Sequence, residues 1–484
     1  MLDRQMYEEG LQKAREQEME ELVGYLSDYI KLNGKIRDLP VFAQPDEEIL
    51  DKLANIPIPR TGRDMKEVAD ELIKDVYENS MSIQHPRFFS LVGSAVSPYS
   101  MAAGILNNIY NLNNTGFAMS PGAAVIEDHL IDWMGSLAGY PETRSGIFTS
   151  GGSLSNMTGM IAARLNVLSE DEYPIGVAYL SDQAHISVAK GMKLMGLRKD
   201  QIRIIETDEN YKIRLDLLED AIKEDIAKGR KPFLLVGCLG STNTGSIDPL
   251  PELADLKDKY GMWLHVDGAY GGSILLSDIY RNLAKGLERS DSFSWDMHKW
   301  AMQSYSCSCC LVRDKKKLVN AYAEYPEYLA DIVDEKHTNG WDRSIEMSRP
   351  ARALKFWFTV QAMGTDLLAD VIDYAFYLAN VSARKFKELP GWELTSPSMC
   401  GAITFRYVPK TIDPSRYDEL NAEISQRIND EHFAYVVTTV LKNRRVLRFC
   451  LINGNTTDED VFATVKRLDE IAHEVEADML SGKI

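Results

Sequence analysis

The sequence predicts an α/β protein: a mostly parallel, buried sheet flanked by helices, preceded by a helical N-terminal segment and followed by a small α+β domain. Three observations predict it. Short apolar runs alternate with helical patterns from about residue 85 onward, the rhythm of βαβ units. The runs are continuously apolar, as strands covered on both faces are. Turns rich in Gly, Ser and Asp follow the early runs, where open α/β sheets bind ligands.

In chain order, residues 1–30 read as a helix, with Met6, Leu11, Met19, Leu22, Leu26 and Ile30 at helical spacings between charges. Pro40 and Pro45, then Pro57 and Pro59, break the chain, and an amphipathic helix is expected over 65–77. The segment 1–84 lacks a core of its own and is expected to lie over other parts of the assembly. A large domain is expected over 85–345, with strands at 146–149, 176–180, 202–205, 233–237, 262–266 and 307–312, and a further strand-like run leading into Ser294-Trp295-Asp296. A small domain is expected over 346–484, with a long helix from 351, strands at 401–406 and 445–450, and a final helix at 457–480.

Composition narrows the function. The chain has 484 residues, 45% hydrophobic and 26% charged, ordinary for a globular protein. Lys+Arg number 54 against Asp+Glu 72, a net charge of −18. That argues against nucleic acid or an anionic membrane as partner, since both attract basic faces. Six cysteines in 484 residues make no disulfide framework. Cys307, Cys309 and Cys310 read as buried thiols in a strand rather than metal ligands, and no metal is expected. The charged start of the chain has no apolar signal core, and no run approaches the ~20 apolar residues of a membrane span. A cytoplasmic protein is expected.

The chemistry is carried by two stretches. His265-Val266-Asp267-Gly268-Ala269 puts a carboxylate at the end of an apolar strand. Asp296-Met297-His298-Lys299-Trp300 puts a lysine after a histidine, 32 residues beyond Asp267. Desolvation among Trp295, His298 and Trp300 favours imine chemistry at Lys299. A carboxylate beside a protonated ring nitrogen is worth about 4 kcal/mol at ~4 Å and an effective dielectric near 20. An aldehyde cofactor with a basic ring nitrogen, pyridoxal 5′-phosphate (PLP), uses both groups. Ser150-Gly151-Gly152-Ser153 opens a helix whose first turn offers N–H groups to a phosphate. The loop at 240–245 and His185, each just past a strand, are placed to meet a flat ligand. Tyr328 precedes a polar stretch, 331–342, that reads as a mobile loop or lid. Taken singly, each residue has a plainer explanation: a surface lysine, a cap, a turn, a packing tyrosine.

Together these motifs resemble the group II PLP-dependent amino acid decarboxylases, and within them the bacterial tryptophan and aromatic-L-amino-acid decarboxylases. The resemblance rests on His85-Pro86-Arg87-Phe88-Phe89, Tyr179-Leu180-Ser181-Asp182-Gln183, Thr242 to Pro249, Asp267-Gly268-Ala269-Tyr270 and Ser294-Trp295-Asp296 with His298-Lys299-Trp300. It implies a fold-type-I architecture with a seven-stranded sheet and a homodimer with shared active sites. It implies that Lys299 carries the cofactor, Asp267 pairs with its ring nitrogen, His185 stacks on the ring and Ala269 packs near its other face. Leu154 and Ser155 would take the phosphate, helped by His298 and Asp296. Thr242 would lie beside the ring substituents, and Tyr328 would return the proton to Cα. Leu91, Val92, Asn113, Thr115 and Phe117 match the substrate pocket. The chain departs from the animal members at Asp296-Met297, where they carry Asn-Pro. The expected reaction is decarboxylation of an L-amino acid, most simply an aromatic one, to its amine. A medium apolar amino acid, glutamate or an aldehyde-forming reaction are the alternatives.

Overall fold

The computed structural model describes residues 22–25, 27, 28, 30, 31, 34–324 and 337–484. Most of the helix expected over 1–30, Tyr328 and the first half of the 331–342 loop lie outside the described residues.

Seven strands form the central sheet: β1 (Ser145–Thr149), β2 (Gly176–Ser181), β3 (Ile202–Ile205), β4 (Lys231–Cys238), β5 (Trp263–Asp267), β6 (Ser292–Asp296) and β7 (Ser308–Val312). Their order is β1-β7-β6-β5-β4-β2-β3. The run β3-β2-β4-β5-β6 is parallel, and β7 is antiparallel to both β1 and β6. Every residue of β1, β2, β5, β6 and β7 is buried, because helices cover both faces. That burial is why β2 and β7 read as largely apolar runs. Trp263, Trp295 and Phe293 are fully buried, each contributing on the order of 2–3 kcal/mol by removal of apolar surface from water.

The sheet's polarity positions the site. The residues after β1, β2, β4, β5 and β6 emerge at one edge, the carboxyl end of the parallel strands, where such sheets bind ligands. Two residues, Ser150 and Gly151, separate β1 from the helix Gly152–Val167, so the first turn of the helix faces that edge.

The second sheet is antiparallel, with order β10-β11-β9-β8 for β8 (Trp392–Leu394), β9 (Ala402–Tyr407), β10 (Thr438–Leu441) and β11 (Arg444–Cys450). Helices Thr365–Glu388, Tyr417–Asp430 and Asp458–Leu480 complete this α+β unit. Packing crosses the expected boundary between the large and small domains in both directions. Phe89, from the start of the large domain, stacks on Phe449 with ring centroids 4.6 Å apart. Phe356, from the helix Ala353–Met363, belongs instead to the large core, against Trp133.

In the N-terminal segment, the helices Glu47–Asn55 and Met65–Leu72 are capped by Asp46 and Asp64 and bury no residue. The second continues over Ile73–Tyr77 as a wider turn. Leu50, Val68 and Leu72 are left exposed. Among the described residues, no helix is long and apolar enough to cross a membrane. All six cysteines are free and buried, and burial pushes the Cys307 and Cys310 thiols up to about 12.

The candidate active site

A cavity of about 420 Å³ opens at the carboxyl edge of the sheet, within the range of small-ligand sites. Its walls come from the ends of β1, β2, β4, β5 and β6. Ser150, Gly151, Gly152 and Ser153 follow β1, and His185 follows β2. Thr242 follows β4, Asp267 ends β5 with Ala269 beyond it, and Asp296, His298 and Lys299 follow from β6. Ile83, Leu91, Val92 and Tyr305 form the apolar and aromatic part.

Lys299 Nζ lies 3.1 Å from Asp296 Oδ2. Burial lowers the lysine's pKa, but Asp296 and Asp267 outweigh it, and the net shift is upward from the ordinary value of 10.5. Asp296 is 1% exposed, and its Oδ1 has no hydrogen-bond partner among the described residues. His298 Nε2 is 3.6 Å from Asp296 Oδ2, and its Nδ1 accepts from the Cys307 amide at 3.2 Å. Burial lowers the His298 pKa, as it does that of His185. His185 caps the helix Ile186–Leu194, its Nδ1 accepting from the Ser187 amide.

Asp267 is held differently. Its Oδ2 accepts from Asn156 Nδ2 at 3.0 Å, and its Oδ1 from the Ala269 amide at 3.1 Å and the Ser294 hydroxyl at 3.2 Å.

The two residues expected at the phosphate stand in the first turn of the helix Gly152–Val167. The Leu154 and Ser155 amides both donate to the Gly151 carbonyl, and the Ser155 hydroxyl is 2.6 Å from that of Thr149. Neither residue lines the cavity. The preceding amides, of Gly152 and Ser153, sit in the first turn and have no carbonyl of their own helix to bond. A Cβ at Gly152 would lie 2.8 Å from Asp296 Oδ2 and 2.9 Å from Ala269 Cβ, so only glycine lets these walls meet here.

Of the expected substrate pocket, Leu91 and Val92 line the cavity; Asn113, Thr115 and Phe117 do not. Asn113 Oδ1 accepts from the Thr115 amide, and Thr115 O accepts from Gly340. Phe117 stacks on His337 with centroids 3.7 Å apart. The buried Arg349–Glu127 ion pair, 2.7 Å, anchors this segment, with Asn114 also donating to Glu127. The described end of the 331–342 loop is packed: Gly340, Trp341 and Asp342 are buried in a turn capped by Asn339.

Sequence reasoning assigned no role to Asn156, His265, Ser292, Tyr305 or Arg448. A signal for two of them was present: His265 alternates with Asp267 on β5, as Ser292 does with Ser294 and Asp296 on β6. Polar residues at every second position of a buried strand mark a polar face. Arg448, 4% exposed, donates to the carbonyls of Leu91 and Asn243 beside the cavity. Its Nη2 has no hydrogen-bond partner among the described residues.

The donor set fits PLP: amides for a phosphate, a lysine for an aldehyde, and a carboxylate and a histidine on the cavity wall for the ring. Comparison with known proteins agrees. The model of the pyridoxal-dependent decarboxylase conserved domain matches residues 48–408. An aromatic-L-amino-acid decarboxylase of Bacillus atrophaeus is 34% identical over 443 residues, covering 91% of this chain and 92% of that protein. An L-2,4-diaminobutyrate decarboxylase of Acinetobacter baumannii is 29% identical, covering 83% of each. The crystal structure of Oryza sativa TDC with PLP and tryptamine superposes with a TM-score of 0.88 at 25% identity, covering 98% of this chain and 99% of that one. The chain belongs to the pyridoxal-dependent decarboxylases, carboxy-lyases whose cofactor is PLP.

Proposed function

We propose that the protein decarboxylates an aromatic L-amino acid to the corresponding amine. The observation that carries this reading is the mouth of the cavity, where Ile83, Leu91, Val92 and Tyr305 offer apolar and aromatic surface. The relative from Bacillus atrophaeus and the tryptamine-bound Oryza sativa structure support it.

When bound, PLP supplies an aldehyde for the substrate amine and a ring that accepts the electron pair left when carbon dioxide departs. The chain's residues do the rest. Lys299 provides the amine that holds the cofactor and is displaced by substrate. Asp267 keeps a proton on the ring nitrogen, so the ring draws electrons. The first turn of the helix Gly152–Val167, which includes Leu154 and Ser155, would hold the phosphate. His185 and Ala269, both on the cavity wall, would pack against the faces of the ring, and Thr242 would border it. Tyr328 returns a proton to the substrate carbon.

A second reading, an acidic substrate, has one observation behind it: the unpartnered Nη2 of Arg448 beside Leu91. Arg448 does not line the cavity, so the aromatic reading is preferred. Amine identification over the twenty amino acids decides between them. Tryptamine, tyramine or phenethylamine as principal product is expected; preferential release of carbon dioxide from an acidic amino acid overturns the aromatic reading.

We also propose a homodimer in the cytoplasm. The N-terminal helices expose Leu50, Val68 and Leu72, and the helix Pro98–Tyr110 exposes Leu106, Ile109 and Tyr110. Such apolar faces mark interfaces. In a dimer with shared sites, Asn113, Thr115 and Phe117 would border the partner's cavity. Sedimentation at the monomer mass overturns this.

A further inference from the structure

Behind Asp267 runs a chain of buried polar groups. Trp263 Nε1 is 2.8 Å from Ser292 Oγ. Ser292 Oγ is 2.7 Å from His265 Nδ1. His265 Nε2 is 3.0 Å from Asn156 Oδ1, and Asn156 Nδ2 is 3.0 Å from Asp267 Oδ2. Trp263, Asn156, His265 and Ser292 are each 1% exposed or less, so water does not complete their bonding.

The donor inventory gives this chain one direction. An indole N–H only donates, so Ser292 must accept from Trp263. At the other end, an ionised carboxylate only accepts, so the Asn156 NH₂ faces Asp267 and its Oδ1 faces His265. His265 Nε2 must therefore carry the proton and donate it to Asn156 Oδ1. In the neutral ring Nδ1 then accepts from the Ser292 hydroxyl. Burial lowers the His265 pKa to about 4, consistent with the neutral ring this pattern requires.

The register builds the chain. His265 pairs with Ser292 and Asp267 with Ser294 across β5 and β6. Asn156 and Gly159 lie three apart on the covering helix, on one face. A Cβ at Gly159 would lie 2.5 Å from His265 Nδ1, so the helix approaches closely only because residue 159 is glycine.

An ionised carboxylate offers about four acceptor sites. Donors from within the fold, Asn156 Nδ2, the Ala269 amide and the Ser294 hydroxyl, take three. We propose that Trp263, Ser292, His265 and Asn156 form a one-way hydrogen-bond relay that positions Asp267, leaving it one acceptor site towards the cavity and making the cavity select a ring that carries an N–H there. Asn156 and His265 are the positioning residues. The inference rests on the PLP reading of the cavity and extends it to residues that touch no reacting atom.

The test is equilibrium binding to the apoenzyme, by absorbance and fluorescence, of PLP and of its deaza analogue, in which C–H replaces the ring nitrogen. Wild type should prefer PLP. Asn156→Leu and His265→Phe should each lose about 10-fold or more of that preference, the effect of a hydrogen bond to a charged group. Ser292→Ala, which removes one oxygen and keeps the fold, should lose a smaller part of it. Affinity for the deaza analogue should stay nearly constant in all three. Loss of affinity for both ligands in parallel would show a merely structural role and overturn the relay. So would an unchanged preference in Ser292→Ala and Asn156→Leu. A wild type that binds PLP without preferring it to the analogue overturns the relay alone; one that binds neither removes the PLP reading as well.

Discussion

Two aspartates end adjacent strands of the same sheet, and the protein treats them in opposite ways. Asp267, at the end of β5, accepts three hydrogen bonds from neutral donors. Asp296, at the end of β6, has one oxygen 3.1 Å from the Lys299 ammonium and another with no partner among the described residues. The first is oriented by the fold before any ligand arrives. The second is held by a charge that the reaction must take away, since Lys299 reacts as a neutral amine. Fixed dipoles suit a group that must stay put; an ion pair with a reactive lysine suits one whose partner changes.

The sharpest break in this comparison is at the shared cation. Lys299→Ala should abolish covalent capture of PLP and cut decarboxylation by on the order of 10³-fold or more, as loss of a nucleophile does. Mass spectrometry after borohydride reduction should find the adduct at residue 299 in wild type alone. Asp267→Asn removes the anion but keeps the shape. Decarboxylation should fall about 10²–10³-fold, the scale of losing a main electrostatic stabiliser, while Lys299 still captures the aldehyde. An equal loss of both would mean that Asp267 only shapes the cavity.

Gly152→Ala tests the wall between the aspartates. The added methyl meets Asp296 and Ala269 at under 3 Å, and overpacking of this kind costs about 1–3 kcal/mol. Retention of PLP through dialysis should fall more than the melting temperature does; the reverse order would place the damage in the core.

Asp296→Asn should act on Lys299 with a defined sign. Asp296 raises the lysine's pKa, so its removal lowers it and leaves more neutral amine near neutrality. Capture of pyridoxal, which has no phosphate, should rise several-fold at about pH 7–8, with the pH–rate curve moved to lower pH. An unmoved curve would show that the ion pair does not govern the lysine.

The smallest effect concerns stability. His265 folds with its pKa lowered from 6.5 to about 4, so between those values the unfolded chain binds the extra proton. Stability is full above about pH 6.5 and falls as pH drops towards 4. His265→Phe should lower the slope of stability against pH in that window by up to one proton, read from denaturant midpoints. His85, also lowered to about 4, should keep its own share.

Much of this was legible in the chain itself. Six strands and their order along the sequence followed from short apolar runs, although β3 proves to be a half-exposed edge strand, and Asp267, Lys299, His185, Thr242 and the glycine turn all sit on one cavity. What was not legible has physical reasons. Leu154 and Ser155 are expected at the phosphate; the helix that starts at Gly152 ties their amides to the Gly151 carbonyl, a local closure that the motif alone does not announce. Asn113, Thr115 and Phe117 do not line this chain's own cavity; their segment is tied down by the Glu127–Arg349 pair, whose members are more than 200 residues apart.

By itself, the order of residues determined which side chains end the strands, because period and turn chemistry are local. It also determined that a lysine and a carboxylate share one sheet edge. Only the tertiary structure decided which carboxylate receives donors and which receives the lysine. Hydrogen bonds are directional and close between groups far apart in sequence: Asn156 meets Asp267 111 positions away, and nothing in either one's neighbourhood announces the other.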